Sequence, residues 1–346
     1  MAGITSKEIA KRLGLSPSAV SFALNGKAGV SEETRRLVIE TAEKLGYNTA
    51  KLENTVKIRR RICFVIYVSQ RESLAGNTTF STAVLQGAEN VASAKGHSIL
   101  VKYIRGGEPM AKQLEDTVAE VDCFIILGTD LSTDSEGEMR EFLGAVDGKP
   151  VVIIDSPENY GLVDCVINDN FGGARQAAEY LLSRGIKKIG YLRSRYRISN
   201  FEQREAGLRA ALLTKGLQIH TAVDTEVSFD EAYKRVLEYI GTAEELPEAF
   251  FAENDIIAAA ALRAFSFCGI SVPQQISVIG FDDIPICDLT VPALSTVHSF
   301  KEQLGEVAVN LLLLKLAAFA GDSIVEGRGC STISISTKLH IRDSVI

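Results

Sequence analysis

What this chain does without narrows its chemistry. Its six cysteines (Cys63, Cys123, Cys165, Cys268, Cys287 and Cys330) show no Cys-x-x-Cys spacing and no neighbouring histidine. That argues against a zinc site or a disulfide framework and for reduced thiols in a core. The four histidines, His97, His220, His298 and His340, lie far apart in sequence and suggest no catalytic triad. No Gly-x-Gly-x-x-Gly follows the first strand-like run, and Walker, Gly-x-Ser-x-Gly and His-Glu-x-x-His motifs are missing, so no enzyme signature is present. Apolar runs such as Leu311 to Leu314 fall far short of the about 20 residues that a membrane helix needs. The first residues are polar helix-capping types rather than a charged stretch before an apolar one, so no secretory signal is read. The expectation is a cytoplasmic protein, not an enzyme, with no cofactor and no metal.

What is present is ordinary globular composition, 46% apolar and 23% charged, over 346 residues, enough for two or three domains. The net charge of −7 hides an asymmetry. Residues 1–61 carry twelve Lys and Arg against six Asp and Glu, a charge of +6, and the remainder carries 25 against 38, or −13. A basic head on an acidic body suggests that only the head meets a polyanion, although a solvated basic helix would look the same.

The head is punctuated by helix signals. Thr5-Ser6-Lys7-Glu8 reads as a capping box for a helix that turns Ile9, Ala10 and Leu13 inward and stops at Gly14. Ser16 caps a second helix, with Pro17 at its first position, running to about Leu24 before Asn25-Gly26. Ser31 caps a third, with Glu32 and Glu33 in the first turn, an expected buried stripe of Leu37, Val38, Ala42 and Leu45, and Gly46 as its end. Two short helices joined by a tight turn and braced by a third form a helix-turn-helix, whose second helix enters the major groove. With Val20, Ala23 and Leu24 turned to the core, Ser16, Pro17, Ser18, Ser21, Phe22 and Asn25 face outward. The hydroxyl and amide groups suit phosphates or base edges, and Phe22 suits thymine methyls. Thr5, Ser6, Ser31 and Thr34, at the starts of the flanking helices, complete the candidate DNA-facing set. Small helical modules also serve as protein docking units, and an exposed Phe22 fits either use.

Residues 47–60 are polar and basic with spaced Leu52, Val56 and Ile58, a composition for a segment that orders on binding or for a flexible tether. From Arg61 onward, short apolar runs (Ile62–Val68, Ser98–Ile104, Cys123–Leu127, Val151–Asp155, Val163–Ile167, Lys188–Leu192, Ala249–Ala252, Ser277–Phe281 and Thr332–Ile335) alternate with amphipathic helical stretches. The expected fold class is α/β, with parallel sheets covered on both faces and ligands bound beyond the carboxyl ends of the strands. Asp155, Asn254-Asp255 and Asp282-Asp283 stand at such ends, with Arg204 available for an anionic or hydroxyl group. Each is equally readable as a helix cap or turn residue.

Resemblance adds to this reading. The segment from Ile4 to Gly26, followed by Gly29-Val-Ser-Glu-Glu-Thr-Arg and Leu45-Gly-Tyr, closely resembles the head of the lactose/galactose repressor (LacI/GalR) family. The body resembles it at Gln86-Gly-Ala-Glu, Asp169-Asn-Phe-Gly-Gly-Ala, Arg204-Glu-Ala-Gly, Glu253-Asn-Asp, Ile276 to Asp283, Pro292-Ala-Leu-Ser-Thr-Val and Leu339-His-Ile-Arg-Asp-Ser. The resemblance implies a helix-turn-helix head (1–46), a hinge (47–60) and a two-lobed periplasmic-binding-protein-like domain (61–346). Its lobes would cross over near Tyr160, Leu289 and Gly321, giving one lobe of about 61–160 and 290–320 and another of about 161–289 and 321–346. It implies a homodimer on a near-palindromic DNA operator, regulating transcription, as repressors do, under a small-molecule effector such as a sugar or nucleoside. Effector contacts map by motif position to Asp155, Arg204, Asn254 and Asp282, with Phe80, Phe229 and Phe300 as candidate walls. In the hinge, Glu53-Asn54-Thr55-Val56 stands where the family commonly shows Ala-Arg-x-Leu, so Val56 would be a shorter minor-groove wedge beside an unfavourable Glu53. Thr49 replaces a frequent proline, and the chain ends after Arg342-Asp343-Ser344 without a heptad tail, so a dimer rather than a tetramer is expected. The rival readings are an effector-binding protein without DNA function and an enzyme built on the same sheets.

Overall fold

The computed structural model describes residues 4–25, 27, 29–45, 47, 59–69, 78–131, 135–146, 148–157, 161–319 and 329–346. Most of the hinge, including Val56, and the expected crossover residues Tyr160 and Gly321 lie outside the described residues.

The head consists of α1 (Ser6–Leu13), α2 (Pro17–Leu24) and α3 (Glu32–Lys44). Local chemistry sets its boundaries. The Thr5 N–H and hydroxyl both donate to Glu8 Oε2, at 2.7 and 2.9 Å, and Gly14 ends α1 in the left-handed region at φ 65°. Ser16 Oγ accepts the Ala19 N–H at 3.1 Å, and Ser31 Oγ accepts that of Thr34 at 3.1 Å. Ile9, Ala10, Val20, Ala23, Leu24, Val38 and Ala42 form the core. Leu37 departs from its expected place, being half exposed, while Ile39 is buried. The inward stripe of α3 runs through Arg35, Val38, Ile39 and Ala42, spaced at helical i, i+3, i+4, i+7, and Leu37 falls off that face.

The body holds two six-stranded sheets. Lobe 1 comprises β1 (Arg61–Val68), α4 (Thr78–Ala94), β2 (Ser98–Arg105), α5 (Met110–Gln113), α6 (Glu115–Val118), β3 (Cys123–Leu127), α7 (Glu136–Ala145), β4 (Val151–Ile154) and β5 (Asp164–Asn168). Lobe 2 comprises α8 (Asn170–Ser183), β6 (Ile189–Ser194), α9 (Ser199–Leu213), β7 (Thr221–Thr225), α10 (Phe229–Thr242), β8 (Ala249–Ala252), α11 (Asp255–Phe267), β9 (Ser277–Asp282), α12 (Ile286–Leu289) and β10 (Ser295–His298). The chain then returns to lobe 1 for α13 (Lys301–Phe319) and β11 (Thr332–Ile335) and ends in lobe 2 with β12 (Lys338–His340).

The strand orders are β2-β1-β3-β4-β5-β11 and β7-β6-β8-β9-β10-β12, the same doubly wound path used twice. Ladders are parallel throughout, except that β12 runs antiparallel to β10 at the edge of lobe 2. Apolar clusters cover both faces of each sheet, which is why the central strands read as unbroken apolar runs. Strand pairing moves the crossings away from Tyr160, Leu289 and Gly321. Because β5 pairs with β4, β10 with β9 and β11 with β5, the chain changes lobe at residue 169, at 299–300 and at 336–337.

Candidate ligand cleft and nucleic-acid interface

The carboxyl ends of the strands in both sheets face a shared cleft, and polar residues stand where those strands stop. Asp155 follows β4, Asn254 follows β8 and Asp282 ends β9. Asp155, Asp282 and Asp283 adopt positive φ values of 61°, 103° and 54°, a region that Asp tolerates better than most side chains. Strain of this kind concentrates at functional sites.

Arg204, in the second turn of α9, is fixed from several directions. Its Nε donates to Asn170 Oδ1 at 2.9 Å, one terminal nitrogen to the Glu253 carbonyl at 2.5 Å and the other to Asp282 Oδ1 at 2.9 Å. Its guanidinium carbon lies 3.7 Å from the centre of the Phe281 ring. Two asparagines then carry the network between lobes: Asn170 Nδ2 donates to Asn200 Oδ1 at 3.1 Å, and Asn200 Nδ2 to the Asp155 carbonyl at 3.0 Å. On the lobe 1 side, Asp155 accepts hydrogen bonds from Thr129 Oγ1 at 2.7 Å and Asn168 Nδ2 at 3.3 Å.

Burial pushes the Asp155 carboxyl up to about 7, against the hydrogen bond from Thr129 and the charge of Arg204. Asp255 is also pushed up to about 7, by burial and then by the charge of Asp282; it accepts hydrogen bonds from Thr296 Oγ1 and the Ile284 N–H. Glu253, fully buried, is raised by burial and anchors the loop after β6 through Tyr191, the Ser194 N–H and Arg197. That loop leads directly to Asn200 and Arg204.

The described residues enclose a cavity of about 30 Å³ lined by Phe80, Thr129, Asp155, Ile198, Asn200, Phe201, Arg204, Asn254 and Asp282. This is room for a water or so, against the roughly 300 Å³ or more of sites for drug-sized ligands. Of the residues singled out from sequence, Phe80, Asp155, Arg204, Asn254 and Asp282 meet at this cavity. Asn254 is also the cap of α11, accepting the Ile257 N–H at 2.9 Å. Phe229 and Phe300 are elsewhere. Phe229 packs into the lobe 2 cluster beneath Arg263, and Phe300 packs on the lobe 1 cluster, edge-on to His298. Asp283 points its carboxylate to His298, His340 and Arg342. Burial opposes its charge, but hydrogen bonds from those three groups outweigh it and hold the carboxyl below the ordinary range. Thr129, Ile198, Asn200 and Phe201 escaped the sequence reading. Thr129 stands after β3 as Asp155 does after β4, and Asn200 and Phe201 precede Arg204 by one turn.

On the head, Ser16, Pro17, Ser18, Phe22 and Asn25 are exposed on and around α2, and Ser21 is half-buried. Phe22 remains 40% exposed beside Gly29, an apolar ring held outward on a small basic module. Thr5 and Ser31 are exposed at the starts of α1 and α3, with Ser6 and Thr34 partly so. Arg35, the last residue of the Gly29-Val-Ser-Glu-Glu-Thr-Arg motif, ties α3 to α2 and the turn after it by donating to the Phe22, Ala23 and Lys27 carbonyls at 3.2, 3.2 and 2.7 Å.

Residues 5–50 match the bacterial regulatory proteins of the lacI family, and residues 178–345 match a periplasmic binding protein-like domain. The chain is 28% identical over 349 residues to the HTH-type transcriptional repressor PurR of Mannheimia succiniciproducens, covering 99% of this chain and 98% of that one. The chain belongs to the LacI family. PurR of Haemophilus influenzae strain PittEE is 27% identical over 348 residues, with 99% and 98% covered. Among solved structures, the regulator CelR in complex with cellobiose superposes with a TM-score of 0.68 at 24% identity, covering 99% of each chain. The lac repressor dimer bound to operator and the anti-inducer ONPF gives 0.68 at 21% identity and full coverage of both chains. As a LacI-family member the chain is a DNA-binding transcriptional regulator with a periplasmic-binding-protein-like effector domain, in a family that is not enzymatic. Among its described residues no helix is long and apolar enough to cross a membrane.

Proposed function

We propose that this LacI-family chain is a homodimeric repressor of a near-palindromic operator, released from or locked onto DNA by a neutral, hydroxyl-rich small molecule held between its lobes. The observation that carries the reading is the convergence of Asp155 from lobe 1 with Arg204, Asn254 and Asp282 from lobe 2 on one cavity. A group gripping residues from both lobes stabilises one lobe arrangement over another, which is what a differential effector must do. Arg204 is already charge-paired with Asp282, and Asp155 adds a further acid, so the cleft disfavours an anion and favours hydroxyl or amide groups flanked by Phe80 and Phe201. The ligands held by similar proteins, cellobiose in CelR and ribose in a regulator from Enterococcus faecium, are of this class.

DNA contact falls to Ser16, Pro17, Ser18, Ser21, Phe22 and Asn25, flanked by Thr5, Ser6, Ser31 and Thr34, with Val56 as the hinge wedge. Two copies engage half-sites about 34 Å apart, so a shift between lobes changes the spacing of the heads and with it the affinity. The edge strand β2 supports pairing of two copies: Leu100, Val101 and Tyr103 are exposed there, at the edge of the lobe 1 sheet.

The test is selection of bound duplexes from a random DNA pool by the purified chain, with and without a pooled library of sugars and nucleosides. An enriched palindrome whose recovery the library alters supports the proposal, and a Ser18→Ala/Phe22→Ala variant should lose it with the body still folded. No enrichment under any condition overturns it.

A further inference from the structure

We propose that Asp283, His298 and His340 form a binding site for a divalent transition-metal ion of the zinc class, outside the cleft and beside the lobe crossings. Asp283 Oδ2 lies 2.8 Å from His298 Nδ1 and 2.9 Å from His340 Nδ1, and the candidate ligand atoms of all three residues lie within 4.8 Å of one another. Two imidazoles and a carboxylate are the ligand types that zinc takes in sites with an open fourth position. Bonds of about 2.0–2.1 Å in a tetrahedron put ligand atoms about 3.3 Å apart, so an ion enters if the two Asp283–histidine contacts open slightly from 2.8 and 2.9 Å and the two imidazole nitrogens, within 4.8 Å of each other, adjust toward the same spacing.

The supporting structure is already in place. The His298 and His340 rings stack with centres 4.9 Å apart and an interplanar angle of 23°, both presenting Nδ1 to one oxygen. They are diagonal neighbours on one face of the antiparallel pair of β10 and β12, where His298 pairs with Lys338 and Thr296 with His340. Phe300 closes on His298 edge-on at 4.7 Å. Arg342 donates to the other Asp283 oxygen, Oδ1, at 2.9 Å, and to Asp288 at 2.8 Å. An outer partner of this sort orients a ligating carboxylate and leaves Oδ2 for the metal. Both histidines remain partly exposed, which gives an ion its path inward. On binding, each imidazole is a neutral ring with its proton on Nε2, and its Nδ1 lone pair replaces the hydrogen bond to Asp283.

Position gives the site a consequence. His298 immediately precedes the crossing at 299–300, and His340 follows the one at 336–337 by three residues. A metal here bolts together the lobe 2 ends of two of the three chain crossings.

The experiment uses the full chain, stripped with a chelator and titrated with zinc by calorimetry, alongside His298→Gln, His340→Gln and the double variant. Cobalt(II) absorption provides a second readout. One zinc per chain, at least tenfold weaker in each single variant and lost in the double, with a tetrahedral cobalt spectrum that disappears in parallel, is the expected result. Far-ultraviolet circular dichroism and thermal melts of the metal-free proteins keep loss of binding separate from loss of fold. No stoichiometric zinc in the wild type, or binding undiminished in folded double variant, overturns the proposal.

Discussion

At residue level the cleft is governed by a carboxyl group that the fold prefers neutral. Asp155 is pushed up to about 7 by burial, whereas an unfolded chain ionises it near the ordinary 3.8. Between those values the folded state holds more protons than the unfolded state, so this group's contribution to stability falls as pH rises from about 4 to about 7 and is unfavourable above that. An Asp155→Asn variant imitates the neutral acid. Urea unfolding should therefore show a shallower decline of stability with pH than in the wild type, and a variant about 1–3 kcal/mol more stable at pH 8. Asp255 and Glu253, raised in the same direction, keep part of the slope in both proteins. An unchanged slope would place the proton on another group. Which polar residues stand at the cleft was legible in sequence, because Asp155, Asn254 and Asp282 each follow an apolar run. Their pairing was not. The sequence separation between Arg204 and Asp282, or between Asn170 and Asn200, holds no local trace of contact, and Phe229 and Phe300 were indistinguishable from cleft aromatics until packing placed them.

Among the elements, two junctions depend on one or two residues at their centre. Arg35 is buried and donates to three carbonyls where α2 ends, so Arg35→Met removes all three bonds and takes from the Lys27 carbonyl its guanidinium donor, while the Phe22 carbonyl keeps the Lys27 N–H. The head should lose about 2–3 kcal/mol, with operator affinity reduced while the body's thermal transition stays in place. A head that still protects its amides from exchange as the wild type does would count against this. In lobe 1, α4 and α13 approach so closely that a Cβ at Gly305 would overlap the Val84 carbonyl, and one at Gly87 the Glu302 carbonyl. Gly305→Ala should destabilise the chain by about 1–3 kcal/mol in denaturant titration, because backbone rather than a flexible side chain must move. A variant as stable as the wild type would mean that the two helices part freely. Elements with long apolar runs, such as β1 and β3, announced themselves in sequence. Thr221–Thr225, Ser295–His298 and Lys338–His340 did not, being short, mixed in polarity and mostly near a sheet edge. The same weakness displaced the lobe boundaries, since β5, β10 and β11 could be assigned to a sheet only through their partners.

For the molecule as a whole, pairing through β2 is open to direct measurement. A Leu100→Glu/Tyr103→Asp variant should sediment as a monomer and bind a two-half-site operator about 10²–10⁴-fold more weakly, since linked heads gain that much from being held together. A variant that stays dimeric would move the interface elsewhere on the chain. The small cavity between the lobes sets the terms on which any effector is met. The cavity that the described residues line, about 30 Å³, is smaller than a sugar, so a ligand of that size is favoured by a form in which the lobes stand further apart. Measured affinity is then the intrinsic affinity scaled by the fraction of time the lobes spend apart. The Asn170–Asn200–Asp155 bridge, by holding them together, acts as a sensitivity dial: loosening it would let the regulator answer to lower effector concentrations.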